Sequence, residues 1–478
     1  MGAARIENPT SGARELSCHC AARCQNAWLI VSVRSILVLI LVVISASCGS
    51  GSSEPRSVII ISVDTLRADH LGCYGYERGT SPAIDALAAD GVLFEDASAT
   101  SPWTLPSHAS LLTGLYPSRH GAIAANRSLS DNVAHMASLL AREGFTTAAV
   151  VNSIYLTRWG LDRGFADFRY VRESAGDRLP SAVTREAIRW LDGREDGRFF
   201  LFLHYYDVHS DYASLQDYEK HFVEPYEGPA DGSTAQMLNH RYGRVRLNKR
   251  DIVHLGNLYD AGIRQLDDQL AELFEHLKKS GVLDVATIVL TSDHGEEFLE
   301  HGGVLHGLTQ HQEVISIPLI VRGPGIPKGR RVVTPASLVD VMPTALDLLG
   351  VDAPNDIDGV SLVRSWTEAG PPLAPRVLFS EADFVYHLEK RVKALGANRT
   401  ARDGRFRLHV NLSSGAKRLF DLVDDPLEQT DVLAVHRSRA DTLLGELETF
   451  LSASPVETSD PRLSPEELER LRSFGYAQ

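Results

Sequence analysis

58-VIIISVDTLRADHLGCYGY-76 opens on a nearly unbroken apolar run that stops at Asp64. Such a run, without polar alternation, reads as a strand covered on both faces, as in a parallel sheet. Similar runs recur at 145-FTTAAVV-151, 199-FFLFLHY-205, 286-ATIVLTS-292 and 317-IPLIV-321. Between them lie helical patterns at 132–143, 181–192, 251–281 and 337–350. In the long one, Ile263, Leu266, Leu270, Leu273 and Leu277 share a face. Gly144, Gly281 and Gly350 stand where helices should stop. Strands alternating with helices predict an α/β fold with a mostly parallel sheet flanked by helices.

The carboxyl ends of strands in such sheets are where ligands bind. Asp64 follows the first strand, and Asp293 and His294 follow 286–292. An Asp after a strand is commonly a turn or cap residue. Two carboxylates and an imidazole at one sheet edge make a site for a hard or borderline metal. A third segment, 103-WTLPSHASLLTG-114, reads as a helix entered near Pro106 and Ser107 and left at Gly114. Thr104 at its start is either an N-cap or a hydroxyl placed against the positive end of a helix dipole.

The chain has 478 residues and a net charge of -14. That length suffices for a large domain and a smaller one. The acidity excludes a free nucleic-acid binder, which needs a basic surface. Residues 1–48 read as an export segment, because 35-SILVLILVVISA-46 is short for a membrane span and suits a signal h-region. The small residues before Cys48 make it the candidate lipidated cysteine of a cell-envelope lipoprotein. A cleaved secretory signal and an uncleaved anchor are the alternatives. Residues 49–56 read as a Gly/Ser tether, 57–370 as a catalytic domain and 371–478 as an α+β C-terminal subdomain. The cluster Cys18, Cys20 and Cys24 lacks a second ligand pair and is read as upstream sequence. With Cys73 alone beyond Cys48, no disulfide framework forms in the mature domain.

The first segment, 103–114 with 115-LYPSRHG-121, and 287-TIVLTSDHGEEFLEHG-302 together resemble the sulfatase family of the alkaline phosphatase superfamily. The resemblance implies an exported, metal-dependent ester hydrolase or transferase. It also places Thr104 where a sulfatase carries the cysteine that becomes formylglycine. Threonine cannot be converted. Related lipoteichoic-acid synthases and phosphoethanolamine transferases use a Thr nucleophile. By resemblance, Asp64, Thr104, Asp293 and His294 hold one divalent ion, Mn, Mg, Ca or Zn. A two-zinc site is not expected, since Thr65 replaces the second Asp of many sulfatases and no second ligand set stands out.

His209, in 204-HYYDVH-209, would contact the transferred group. His306, in 305-LHGLTQHQEVISIPLIVRGPG-325, would contact it or protonate the leaving oxygen. His108 stands where the family has an arginine; with Arg67 and Lys328 it is a candidate substrate contact. An arginine in the DTLRAD turn is more often a loop brace. His301 and His311 are not expected to be ligands, and Asp340 is read as structural. The polar and aromatic stretch 205–245 is either a substrate rim or solvated surface. Formylglycine releases sulfate by collapsing to an aldehyde, whereas phospho-threonine turns over by in-line attack at phosphorus. Phosphate esters are therefore favoured. A sulfuric ester hydrolase without formylglycine and a non-catalytic binder of anionic glycan or lipid are the alternatives.

Overall fold

A computed structural model of the chain describes residues 57–172, 182–367, 373–383 and 397–452. The expected export segment, Cys48, the tether 49–56 and the expected helix at 464–476 lie outside these residues. Among the described residues, no helix is long and apolar enough to cross a membrane.

The apolar runs form one large sheet. Its strands are β1 (Ser57–Val63), β2 (Val92–Phe94), β3 (Thr146–Val151), β4 (Asp167–Tyr170), β5 (Phe199–Tyr205), β6 (Ala286–Ser292), β7 (Leu319–Arg322) and β8 (Arg330–Val332). They lie in the order β8-β2-β7-β6-β1-β5-β3-β4. β1 is parallel to both neighbours, β5 and β6. β7 departs from the rest and runs antiparallel to β6 and β2. A short apolar run carries no sign of strand direction, so this reversal was not predictable.

Side chains alternate between the two faces of β1. Val58 and Ile60 pack with Phe200, Phe202 and Val289 under α2 (Thr104–Thr113), α3 (Met136–Arg142) and α6 (Val341–Leu348). Ile59, Ile61 and Val63 pack on the other face under α1 (Pro82–Ala89), α4 (Val183–Gly193) and α5 (Lys249–Lys279). The isoleucines of β1 are fully buried. Each contributes about 1.5–3 kcal/mol relative to leaving it exposed. The α5 helix begins with a capping box between Asn248 and Asp251. Its predicted apolar face, Ile263 to Leu277, is buried. Gly144, Gly281 and Gly350 have φ of 79°, 72° and 67°, the left-handed conformation that ends a helix.

A second, antiparallel sheet follows: β9 (Leu378–Ala382), β10 (Asn398–Arg402), β11 (Phe406–Asn411) and β12 (Lys417–Asp421). It is covered by α7 (Arg437–Ser452) through Leu443 and Leu447. The architecture is therefore an alkaline-phosphatase-like α/β fold with a small antiparallel C-terminal sheet. The stretch 205–245 is not plain surface. It forms short helices at Gln216–Phe222 and Thr234–Arg241, and the Arg241 guanidinium donates to the His306 carbonyl at 3.0 Å.

Candidate active site and metal centre

The same alternation that builds the core builds the site. Beyond Val58 and Ile60, the α2 face of β1 continues through Ser62 to Asp64. On β5 it continues through Phe200 and Phe202 to His204, and on β6 through Val289 and Thr291 to Asp293. Ser62 is in register with both His204 and Thr291. Apolar side chains thus give way to polar ones at the carboxyl end of three adjacent strands.

These polar groups are fully buried. Asp293 Oδ1 accepts from the backbone N–H of Thr65 at 3.2 Å and of His294 at 2.9 Å. His294 Nδ1 donates to the Gly295 carbonyl at 2.9 Å. Four other atoms make no hydrogen bond: Asp64 Oδ1, Asp293 Oδ2, His294 Nε2 and His204 Nε2. They converge. His294 Nε2 lies 3.7 Å from Asp64 Oδ1 and 3.3 Å from Asp293 Oδ2. His204 Nε2 lies 3.4 Å from Asp64 Oδ2. Buried polar atoms without partners are costly, and a cation between Asp64, Asp293 and His294 satisfies three of them together. Asp64, Asp293 and His294 therefore fit a divalent ion. Thr65 adjoins them with φ of 57°, a strained conformation for a β-branched residue.

The electrostatics agree. Burial raises the Asp64 carboxyl to about 7, and burial with the Asp64 charge nearby raises Asp293 to about 7. Burial also pushes the His294 imidazole down, and lowers His204 to about 4. The site thus holds two reluctant carboxylates and neutral imidazoles, the protonation states that a metal stabilises and occupies.

Thr104 is the first residue of α2, with Trp103 as the N-cap, so it is not itself the cap. Its hydroxyl donates to Asp64 Oδ2 at 3.3 Å. The rings of His294 and His306 are 4.4 Å apart, and those of His306 and His209 are 4.9 Å apart. His209 is stacked on Tyr206 and held by the Ser210 carbonyl at 2.6 Å. The structure brings together Asp64, Thr104, Asp293, His294, His306 and His209.

The other three expected contacts are each engaged by protein groups. His108 lies one turn into α2 and points inward, with its nitrogens on the Thr104 carbonyl at 2.8 Å and Ser62 Oγ at 2.9 Å. It is fully buried, supports the Thr104 turn and sets Nδ1 3.6 Å from Asp293 Oδ2. Arg67 is engaged by Asp69, Glu300 and the Glu296 carbonyl, which makes it a loop brace. Lys328 pairs with Asp90, which also binds Arg322. Arg322 is in register with Ile288 near the start of β6, at the opposite sheet edge from Asp293.

Two groups were missed. Glu296 is buried and accepts from His306 Nδ1 at 2.9 Å and from the Tyr212 hydroxyl at 2.8 Å. Burial raises its carboxyl and holds the His306 imidazole well below its usual range. The other is His204, the polar residue near the end of an otherwise apolar strand. Its place on the same face as Asp64 was the available signal. It also forms a second candidate ligand group with His108 and Asp293.

A sequence model of the sulfatase family matches residues 56–351, more than half of the chain. The chain belongs to the sulfatase family. This sulfatase-family hydrolase is 22% identical over 464 residues to a Delta 4,5-hexuronate-2-O-sulfatase of Bacteroides thetaiotaomicron, covering 87% of this chain and 95% of that one. It is 25% identical over 415 residues to the multifunctional alkaline phosphatase superfamily protein PehA of Trinickia caryophylli, covering 69% and 80%. Among solved structures it superposes on the phosphonate monoester hydrolase of Agrobacterium radiobacter with a TM-score of 0.68 and 25% identity, covering 83% and 95%. Its relatives thus include both sulfatases and phosphonate monoester hydrolases. Family members are generally dependent on a divalent metal, in keeping with the buried ligand groups.

Proposed function

We propose that this sulfatase-family hydrolase cleaves phosphate esters, most simply phosphodiesters, with Thr104 as the nucleophile. The observation that carries this reading is the Thr104 hydroxyl, 3.3 Å from Asp64 Oδ2 at the amino end of α2. A threonine has no second hydroxyl with which to expel sulfate as an aldehyde forms. A phosphoryl group on its Oγ leaves by attack of water at phosphorus.

Asp64, Asp293 and His294 would hold one divalent ion beside Thr104. When bound, it supplies positive charge and lowers the pKa of a hydroxyl that it touches. The chain's own groups supply the rest. Asp64 Oδ2 takes the Thr104 proton as Oγ bonds to phosphorus and the bond to the leaving oxygen breaks. The positive amino end of the α2 dipole favours negative charge on the phosphoryl oxygens. His306, backed by Glu296, protonates the leaving oxygen; an anionic ester beside it stabilises the imidazolium that burial otherwise disfavours. His209 orients the transferred group. Water or another hydroxyl then attacks phosphorus and frees Thr104, and the choice between them decides hydrolysis or transfer.

The test is an assay of the full chain with Mn2+, Mg2+, Ca2+ or Zn2+ on aryl phosphodiester, phosphomonoester and sulfate esters, with Thr104→Ala alongside. Phosphate-ester cleavage lost in the variant supports the reading. Thr104-dependent sulfate release favours a sulfuric ester hydrolase. Silence on every ester with metal bound favours a binding protein. The apolar run 35–46 and Cys48 support a cell-envelope location with a lipid anchor. Incorporation of labelled fatty acid, lost in Cys48→Ala, tests that.

A further inference from the structure

We propose that His204 is a ligand of the same metal centre, through Nε2. The centre would then have two imidazoles, His204 and His294, with the carboxylates of Asp64 and Asp293. This rests on the metal reading of Asp64, Asp293 and His294. It does not rest on Thr104 carrying a phosphoryl group.

His204 is placed for that role by its strand. It is in register with Ser62 and shares its face with Asp64, one step from the strand end. It is fully buried. Nε2 makes no hydrogen bond and lies 3.4 Å from Asp64 Oδ2, closer than the 3.7 Å between His294 Nε2 and Asp64 Oδ1. The other nitrogen is already committed. Nδ1 is 3.2 Å from the Asn152 amide oxygen, which can only accept. The proton is thereby fixed on Nδ1, and the Nε2 lone pair faces the carboxylates. Metal-bound histidines are oriented by an outer acceptor in this way. Asn152 is itself buried and follows β3 at the same sheet edge.

His108 belongs to the same candidate group but does not meet this standard. Both of its nitrogens have partners, Thr104 O and Ser62 Oγ, and neither is left without a hydrogen bond. It packs edge-on against His204 with ring centroids 4.9 Å apart and holds that ring in place. A second ion on His108, His204 and Asp293 would have to break the two bonds His108 already makes, whereas a single centre takes the unbonded Nε2 of His204 and leaves His108 as it is. Two imidazoles beside carboxylates favour a borderline ion such as Zn2+ over Ca2+ or Mg2+.

The test reads metal, not turnover. The full chain is stripped with chelator and reloaded with Mn2+, and nitrogen couplings are counted by pulsed electron paramagnetic resonance. Zn2+ and Ca2+ affinities are measured by titration for wild type and His204→Gln. Two imidazole couplings in the wild type are expected, with one in the variant. Zn2+ affinity should fall at least ~100-fold, beyond the usual effect of losing an outer partner, while Ca2+ affinity changes far less. One coupling in the wild type would overturn the proposal and needs no variant to fold. Unchanged Zn2+ affinity in a folded variant, or two spin-coupled Mn2+ ions per chain, would also overturn it. A chain with two imidazole couplings but no Thr104 chemistry would keep this proposal and lose the phosphoryl reading.

Discussion

His306 Nδ1 lies 2.9 Å from Glu296 Oε1, and both side chains are buried. The Tyr212 hydroxyl completes the carboxylate at 2.8 Å. This fixes which nitrogen of His306 faces away from Glu296. Glu296→Gln keeps the shape but cannot stabilise an imidazolium. Turnover should fall on the order of 10²-fold for esters with poor leaving groups, with KM moved much less. For activated aryl leaving groups, which need no protonation, the loss should be small. An equal loss on both would make Glu296 a structural support only.

Thr104 and its supports separate cleanly. Thr104→Ala should lower turnover at least about 10³-fold while metal content stays that of the wild type. Thr104→Ser, which keeps the hydroxyl, should retain measurable turnover. Metal content by elemental analysis and steady-state rates check both statements.

Metal binding should depend on pH with a defined sign. Asp64 and Asp293 each titrate near 7 in the metal-free protein because burial disfavours their charge. The unfolded carboxyls titrate near 3.8. Between those values the folded chain binds more protons, so these groups lose stability for the metal-free protein as pH rises toward 7. A bound cation removes that loss. Thermal midpoints with and without metal should therefore diverge as pH rises from about 4 to 8, and metal affinity should fall below pH 7. Parallel curves would remove both carboxylates from the centre.

Glu428 tests how the C-terminal sheet is held. It accepts from Arg407 Nη1 at 3.0 Å, from His409 Nε2 at 3.0 Å and from the backbone N–H of Gln312 at 2.6 Å. Burial pushes its carboxyl up, but Arg407, His311 and His409 together hold it well below the usual range. Glu428→Ala would leave the buried Arg407 charge uncompensated and should cost about 3–5 kcal/mol in denaturant unfolding. Because the folded pKa is depressed, the support from Glu428 is present near neutral pH and fades as pH falls through the acid range.

Much of this molecule is legible in its sequence. The apolar runs at 58–63, 199–205 and 286–292 mark three adjacent central strands, and Asp64, Asp293 and His294 are visible as polar punctuation just after two of them. His204 escaped because it lies inside a run, where a single polar residue reads as strand. Only the register of β5 against β1 shows that it faces Asp64. Glu296 escaped because a carboxylate between Gly295 and Glu297 has no sequence mark of burial. The surroundings of His108 and Lys328 were hidden for the opposite reason. Motif position says nothing of whether a helix turns a ring inward or a loop lies at the other sheet edge. The antiparallel β7 was hidden because strand direction is set by connections, not composition.

The most direct test is to trap the covalent intermediate. The metal-supplemented full chain is acid-quenched during turnover of a labelled aryl phosphodiester, and the peptide spanning 103-WTLPSHASLLTG-114 is analysed by mass spectrometry. The account predicts a phosphoryl adduct on Thr104 that is absent in Thr104→Ala. Turnover that leaves Thr104 unmodified and survives in Thr104→Ala would contradict it.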